Sequence, residues 1–174
     1  MVRVGPGAEN VVMIAPRPKA GPMNARIIPP PAHDPNGTTI LVGGKDTGGR
    51  FAVVRIHCLR GADPPLRRHH REDVVYHVVQ GELALTVEGT THALPAGATV
   101  HVPGGCEHGY TVRSTIAELL VFLTPAGAED CLGDLSAGTD CPTGDSVERM
   151  VITAAHHGIE ITGPAPTITS RASS

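Results

Sequence analysis

The chain has 174 residues, 18% of them charged, with a formal net charge of −3. That length supplies one domain with a sizeable core. There is no basic run, which argues against nucleic acid or an anionic membrane as the main partner. Phe51, Tyr76, Tyr110 and Phe122 are the only Phe, Tyr or Trp residues, too few for base-stacking platforms.

Residues 1–37 are rich in Pro and Gly, with short apolar pieces such as VVMI and ARII. They read as an N-terminal arm. No apolar run reaches the roughly 20 residues of a membrane span, and MVRVGPGAENVVMIAP offers no secretory h-region. A cytoplasmic location is expected, with Cys58, Cys106, Cys131 and Cys141 as reduced thiols. KDTGG (45–49) reads as a Gly-rich hairpin turn, since it lacks the ending of a phosphate loop.

Between residues 38 and 124 short apolar runs alternate with turn residues. FAVVRIHC (51–58), DVVYHVV (73–79), ELALTVE (82–88), TTHAL (90–94), ATVHV (98–102), YTVR (110–113) and IAELLVFL (116–123) are the expected strands. This regular spacing predicts an all-β barrel or sandwich. Leu83, Leu85 and Val87 alternate onto one face, so that strand is half-buried. Residues 125–174 form a C-terminal segment with one or two helices. Thr124-Pro125 suits a helix start running to about Leu135. Asp145-Ser-Val-Glu148 resembles a capping box for a second helix, with Val147, Met150, Val151 and Ala154 as its apolar stripe and Gly158 as its stop. That helix is expected against the outside of the barrel, and the tail from about Gly163 is expected to fray.

One spacing is more specific. Gly61…Pro65…His69…Gly81 is followed by Gly97…Pro103-x-Gly105-x-x-His108. Together, "HHRED…VVQGEL" and "LPAGATVHVPGGCEH" resemble the two motifs of the cupin family over roughly residues 40–125. The C-terminal pieces TPAGAED and ERMVITAAHHGIEITGP are similar to bacterial single-domain cupins of the quercetin-dioxygenase-like group. The resemblance implies a small cupin β-barrel, or jelly roll, with a central cavity, and homodimers built through N-terminal strands. In the family three histidines and a Glu hold a divalent metal such as Zn, Ni, Fe or Mn. Those positions fall here on Arg67, His69, Val74 and His108. Only His69 and His108 keep a metal ligand. Glu72 and Asp73 lie in the turn before the ligand Glu and do not read as replacements.

Arg67 decides the chemistry expected. A guanidinium has no lone pair to offer a metal and keeps its proton in proteins. At ~4 Å from a divalent cation and an effective dielectric of about 20, repulsion would be roughly 8 kcal/mol. Two imidazoles alone make a weak site. A one-residue register slip, bringing His70 or Glu72 inward, would expose the strand's apolar partners. His57, His77 and His101 are the remaining candidates for a third nitrogen, and His77 alternates with Tyr76 and so faces outward. His33, His92, His156 and His157 read as surface residues. No cofactor is therefore expected, with a divalent metal on His69 and His108 as the alternative.

The residues suit acid–base chemistry on an anionic or enolisable small molecule. Arg67 would hold a carboxylate or enolate, His69 or His108 would exchange a proton, and Tyr76 would orient a substrate oxygen. Val74 and Cys106 complete the expected substrate-binding set. The expectation is a cyclase, isomerase or dehydratase of a polyketide-like or phenolic substrate in secondary metabolism, as some related cupins are. A quercetinase-like dioxygenase is the second reading, and a non-catalytic binding module the third.

Overall fold

The structure, a computed structural model, describes residues 27–29, 37–131 and 144–167. Alternating inward apolar residues build two five-stranded antiparallel sheets packed face to face, a jelly roll. The strands are β1 (Thr38–Val42), β2 (Ala52–Leu59), β3 (Leu66–His69), β4 (Asp73–Gln80), β5 (Glu82–Val87), β6 (Thr90–Pro95), β7 (Thr99–Val102), β8 (Glu107–Val112), β9 (Ile116–Thr124) and β10 (Ile159–Gly163). One sheet runs β1-β2-β9-β4-β7 and the other β10-β3-β8-β5-β6. Val54, Val74, Val78, Leu83, Leu85 and Leu119 fill the space between them and are almost fully buried.

The period-2 rule holds where the site will lie. On β4, Val74, Tyr76 and Val78 are buried while Val75 and His77 are not. On β3, Arg67 pairs with His108 of β8 and with Ile161 of β10, which fixes the register. Arg68 and His70 point away and approach Glu160. The strand has not slipped.

Four expectations need correction. KDTGG is not a simple hairpin turn: Gly44–Thr47 forms a single helical turn, α1. It lies close against the chain after β9, where a Cβ on Gly44 would meet that of Ala126. Helix after β9 begins at residue 128, with a bend over 125–126, rather than at Pro125. Residues 132–143 and the rest of that expected helix lie outside the described residues. The second helix, α2 (Gly144–His156), ends at Gly158 in a left-handed conformation as expected. Its Met150 and Ala154 line the cavity, while Val147 and Val151 of the expected apolar stripe are exposed. The chain then returns as β10, a strand absent from the sequence reading. Beyond it Pro164 accepts a hydrogen bond from the Leu66 N–H, and Pro166 packs close to Gly109, so the tail is held at least that far.

Gly81, the turn between β4 and β5, has φ +85°, and a Cβ there would collide with the Ile116 carbonyl and the Ser114 hydroxyl. Both the left-handed backbone and the closed space demand glycine. Gly81→Ala is expected to destabilise the fold by about 2–4 kcal/mol. Urea denaturation checks this, and a loss under about 0.5 kcal/mol, the range of ordinary surface substitutions, would contradict the packing described.

Candidate functional site

The cavity between the sheets measures about 280 Å³ and its wall is mostly apolar. Ile56, Val74, Val121 and Leu123 line it from the first sheet, Ile159 and Ile161 from β10, and Met150 and Ala154 from α2. Arg67, His69, His57, Tyr76, Tyr110 and Cys58 bring most of the polar groups. Arg67, His69 and Tyr110 stand on one sheet, and Tyr76 and Cys58 on the other.

A directed chain of hydrogen bonds crosses the barrel. The His108 ring nitrogen Nδ1 lies 3.0 Å from the Cys106 carbonyl oxygen, which only accepts, so Nδ1 carries the proton. In the neutral ring Nε2 is then an acceptor, and it takes the Tyr76 O–H at 3.1 Å. The Tyr76 oxygen in turn accepts from Arg67 Nη2 at 2.7 Å. Arg67 also donates to the Pro65 carbonyl and stands 5.9 Å from the centre of the Tyr110 ring. Tyr110 Oη meets Cys58 Sγ at 3.4 Å, a second polar link between the sheets.

Burial sets the protonation states. Desolvation, then the Arg67 charge, push His108 down to about 3, against the pull of the Cys106 carbonyl. Desolvation also lowers His69, opposed by Glu72. The same effect raises Tyr76, with Arg67 opposing, and raises Tyr110 and Cys58. At neutral pH both imidazoles are neutral and both phenols keep their protons, leaving Arg67 as the cavity's cation. Among the described residues no carboxylate comes within salt-bridge distance of it.

The structure therefore brings Arg67, His69, Val74, Tyr76 and His108 together, with the His69 and His108 rings stacked at 5.5 Å between centroids. Cys106 is placed differently from expectation. Its side chain is not part of the cavity wall, and it contributes its backbone carbonyl to His108. His77 faces outward onto Thr99, and His101 bonds Asp73 on the exposed face. His57 does reach the cavity wall, with its Nε2 3.5 Å from Glu118 of the neighbouring strand. His92 and His156 are exposed and His157 is half-buried, while His33 and Cys141 lie outside the described residues. Cys58, Cys106 and Cys131 are free thiols. Glu72 departs most from expectation. Read as a turn residue, it is 1% exposed, with His69 Nδ1 3.7 Å from its carboxyl group. Tyr110, Cys58 and the β10 wall also went unrecognised. Only the buried face of YTVR hinted at Tyr110.

A cupin-domain family profile matches residues 55–123, the stretch that holds β3, β4 and β8. An uncharacterised protein of Streptomyces coelicolor is 32% identical over 76 residues, covering 44% of this chain and 72% of that protein. This chain belongs to the cupin superfamily. It is also 29% identical over 84 residues to quercetin 2,3-dioxygenase of Bacillus subtilis, covering 48% of this chain but only a quarter of that enzyme's length. Among solved structures, KdgF from Halomonas sp. superposes with a TM-score of 0.49 at 22% identity, covering 53% of this chain and 81% of the other. No helix among the described residues is long and apolar enough to cross a membrane.

The metal expected of a cupin does not fit these residues. Arg67 occupies a ligand position, Val74 another, and His108 Nε2 already accepts from Tyr76. Among the described residues no three His, Cys, Asp or Glu side chains are grouped to hold an ion. Of the two ligand positions that survive in sequence, His108 is thus engaged in the cavity's own hydrogen bonds.

The lowered His108 has a consequence for stability. The unfolded chain takes up its proton below about 6.5, whereas the folded chain resists until about 3. Between those values the unfolded state binds more protons, so stability falls as pH falls, by up to about 1.4 kcal/mol per pH unit for this group. His69 acts in the same direction. Urea midpoints at pH 7, 6 and 5 should therefore drop for the wild type and drop less for His108→Gln. Equal slopes in the two proteins would show that His108 is charged in the fold.

Proposed function

We propose that this cupin is an enzyme of small-molecule metabolism that moves a proton on an anionic, enolisable substrate without a metal. The observation that supports it is Arg67, a guanidinium set in an apolar cavity with no carboxylate partner among the described residues. A half-buried charge against an apolar wall attracts a counter-charge, and an anionic ligand supplies it. Its planar fork suits a carboxylate, enolate or phenolate.

The roles follow from which atoms are free. Both ring nitrogens of His108 are hydrogen-bonded, so His108 serves as a fixed acceptor that orients Tyr76. His69 is neutral and lines the cavity, which suits it to take a carbon-bound proton. Tyr76, whose one O–H goes to His108 and whose oxygen accepts from Arg67 Nη2, fixes the guanidinium that faces the oxygen on which negative charge develops. Return of the proton from His69 at another atom gives isomerisation. Loss of a leaving group or attack of the enolate carbon gives dehydration or ring closure. A cavity of about 280 Å³ suits one small, mostly apolar body, in keeping with a phenolic or short polyketide-like substrate. The likeness to quercetin 2,3-dioxygenase favours a dioxygenase as the second reading, and the ligand positions count against it.

The test is solvent-deuterium exchange into a panel of enolisable aromatic and alkyl carboxylates, phenylpyruvate among them, with chelator-treated protein. Exchange should survive chelation, fall by about 10²-fold or more in His69→Ala, and fall in Arg67→Lys through a raised KM. Exchange that needs added divalent metal would replace this reading with the dioxygenase. Binding without exchange across the panel would make the cavity a non-catalytic module.

A further inference from the structure

Glu72 is a buried carboxyl group with no assigned task. It sits in the turn between β3 and β4, 1% exposed, and among the described residues neither carboxyl oxygen has a hydrogen-bond partner. His69 Nδ1 is likewise buried without a hydrogen bond. The two orphaned groups face each other at 3.7 Å. Buried polar groups are rarely left unpaired, and each unpaired one calls for an explanation. Among the described residues, the one acceptor within 4 Å of His69 Nδ1 in an ion-pair geometry is Glu72. Closing the gap to hydrogen-bond length asks for less than an ångström of movement, and on the Glu72 side the neighbour is Gly127, where even a Cβ would stand 3.6 Å from Oε1.

We infer that Glu72 is the positioning residue of His69: it accepts the Nδ1 proton, fixes the ring as the Nδ1–H tautomer, and so presents the Nε2 lone pair for proton abstraction. The other groups facing His69 do not compete for Nδ1. The His108 ring stacks on it through its face, with both nitrogens already bonded elsewhere. Arg67, on the same strand, carries donors only. Ile159 is its cross-strand neighbour. The tautomer assignment stands on geometry alone, and its use in catalysis rests on the proton-transfer reading above. Removing one partner of a buried pair leaves the other unsatisfied, so Glu72→Leu is expected to fold with a lowered Tm.

Histidine ring nitrogen shifts in the full-length, 15N-histidine-labelled protein test this, with His69→Asn identifying the His69 signals. The wild type should show a protonated Nδ1 and an unprotonated Nε2 at neutral pH. Glu72→Gln, whose amide oxygen still accepts, should keep that pattern. Glu72→Leu should lose it, with Nε2 gaining proton, and should lower exchange at least tenfold with KM little changed. A wild-type ring protonated on Nε2, or an unchanged tautomer in Glu72→Leu, would overturn the inference. Should Glu72→Leu not fold, the wild-type tautomer decides. The expected tautomers without any exchange activity would leave the pairing in place and remove the proton-transfer reading instead.

Discussion

The site depends on one substitution of chemistry: a guanidinium stands where this barrel could have placed a metal-ligating imidazole. Arg67 faces His108 across β3 and β8 and reaches the Tyr76 oxygen on the opposite sheet at 2.7 Å. Once that charge is present, the rest follows by electrostatics. A divalent ion is repelled, and both imidazoles are disfavoured as cations by burial and by Arg67 itself. The Tyr76 hydroxyl, accepting from Arg67, must direct its own proton to His108 Nε2. What could have been a metal centre becomes a polarised hydrogen-bond chain with one positive end.

The fold sustains this arrangement through two features. The sheets meet at polar contacts as well as apolar ones, so Arg67–Tyr76–His108 and Cys58–Tyr110 tie them across the cavity. Buried polar networks of this kind are favourable only when their members are satisfied. Glu72 and His69 Nδ1 are among the buried polar groups of the described residues that lack such a bond, and they face each other. The C-terminal segment supplies the second feature. α2 and β10 place Met150, Ala154, Ile159 and Ile161 on the cavity wall, lowering its polarity and strengthening every charge interaction inside it.

Much of this was legible in the sequence. Strands with a clean period of two, bounded by Gly and Pro, were located to within a few residues, and alternation put Arg67, His69 and Tyr76 inward and His70 and His77 outward. The resemblance put Arg67 and His108 at two of the family's ligand positions, and the structure pairs them across β3 and β8. What could not be read was anything fixed by long-range packing. Glu72 sits in a turn, where periodicity says nothing about burial, and only its neighbours Gly127 and His69 reveal its place. IEITG is too short and too near the terminus to announce a strand until β3 offers it an edge. The stripe on α2 misled because the cavity selects Met150 and Ala154, whereas Val147 and Val151 face outward. Cys106 seemed chemical from its neighbour His108, yet its backbone carbonyl does the work.

The central claim, that Arg67 has turned a cupin barrel from metal binding to anion binding, is tested most directly by elemental mass spectrometry of protein purified without chelator from metal-supplemented cells, with Arg67→His alongside. The account predicts divalent metal far below one per chain in the wild type, rising in the variant that restores an imidazole at this position. One tightly held metal per wild-type chain, lost in His69→Ala, would contradict it.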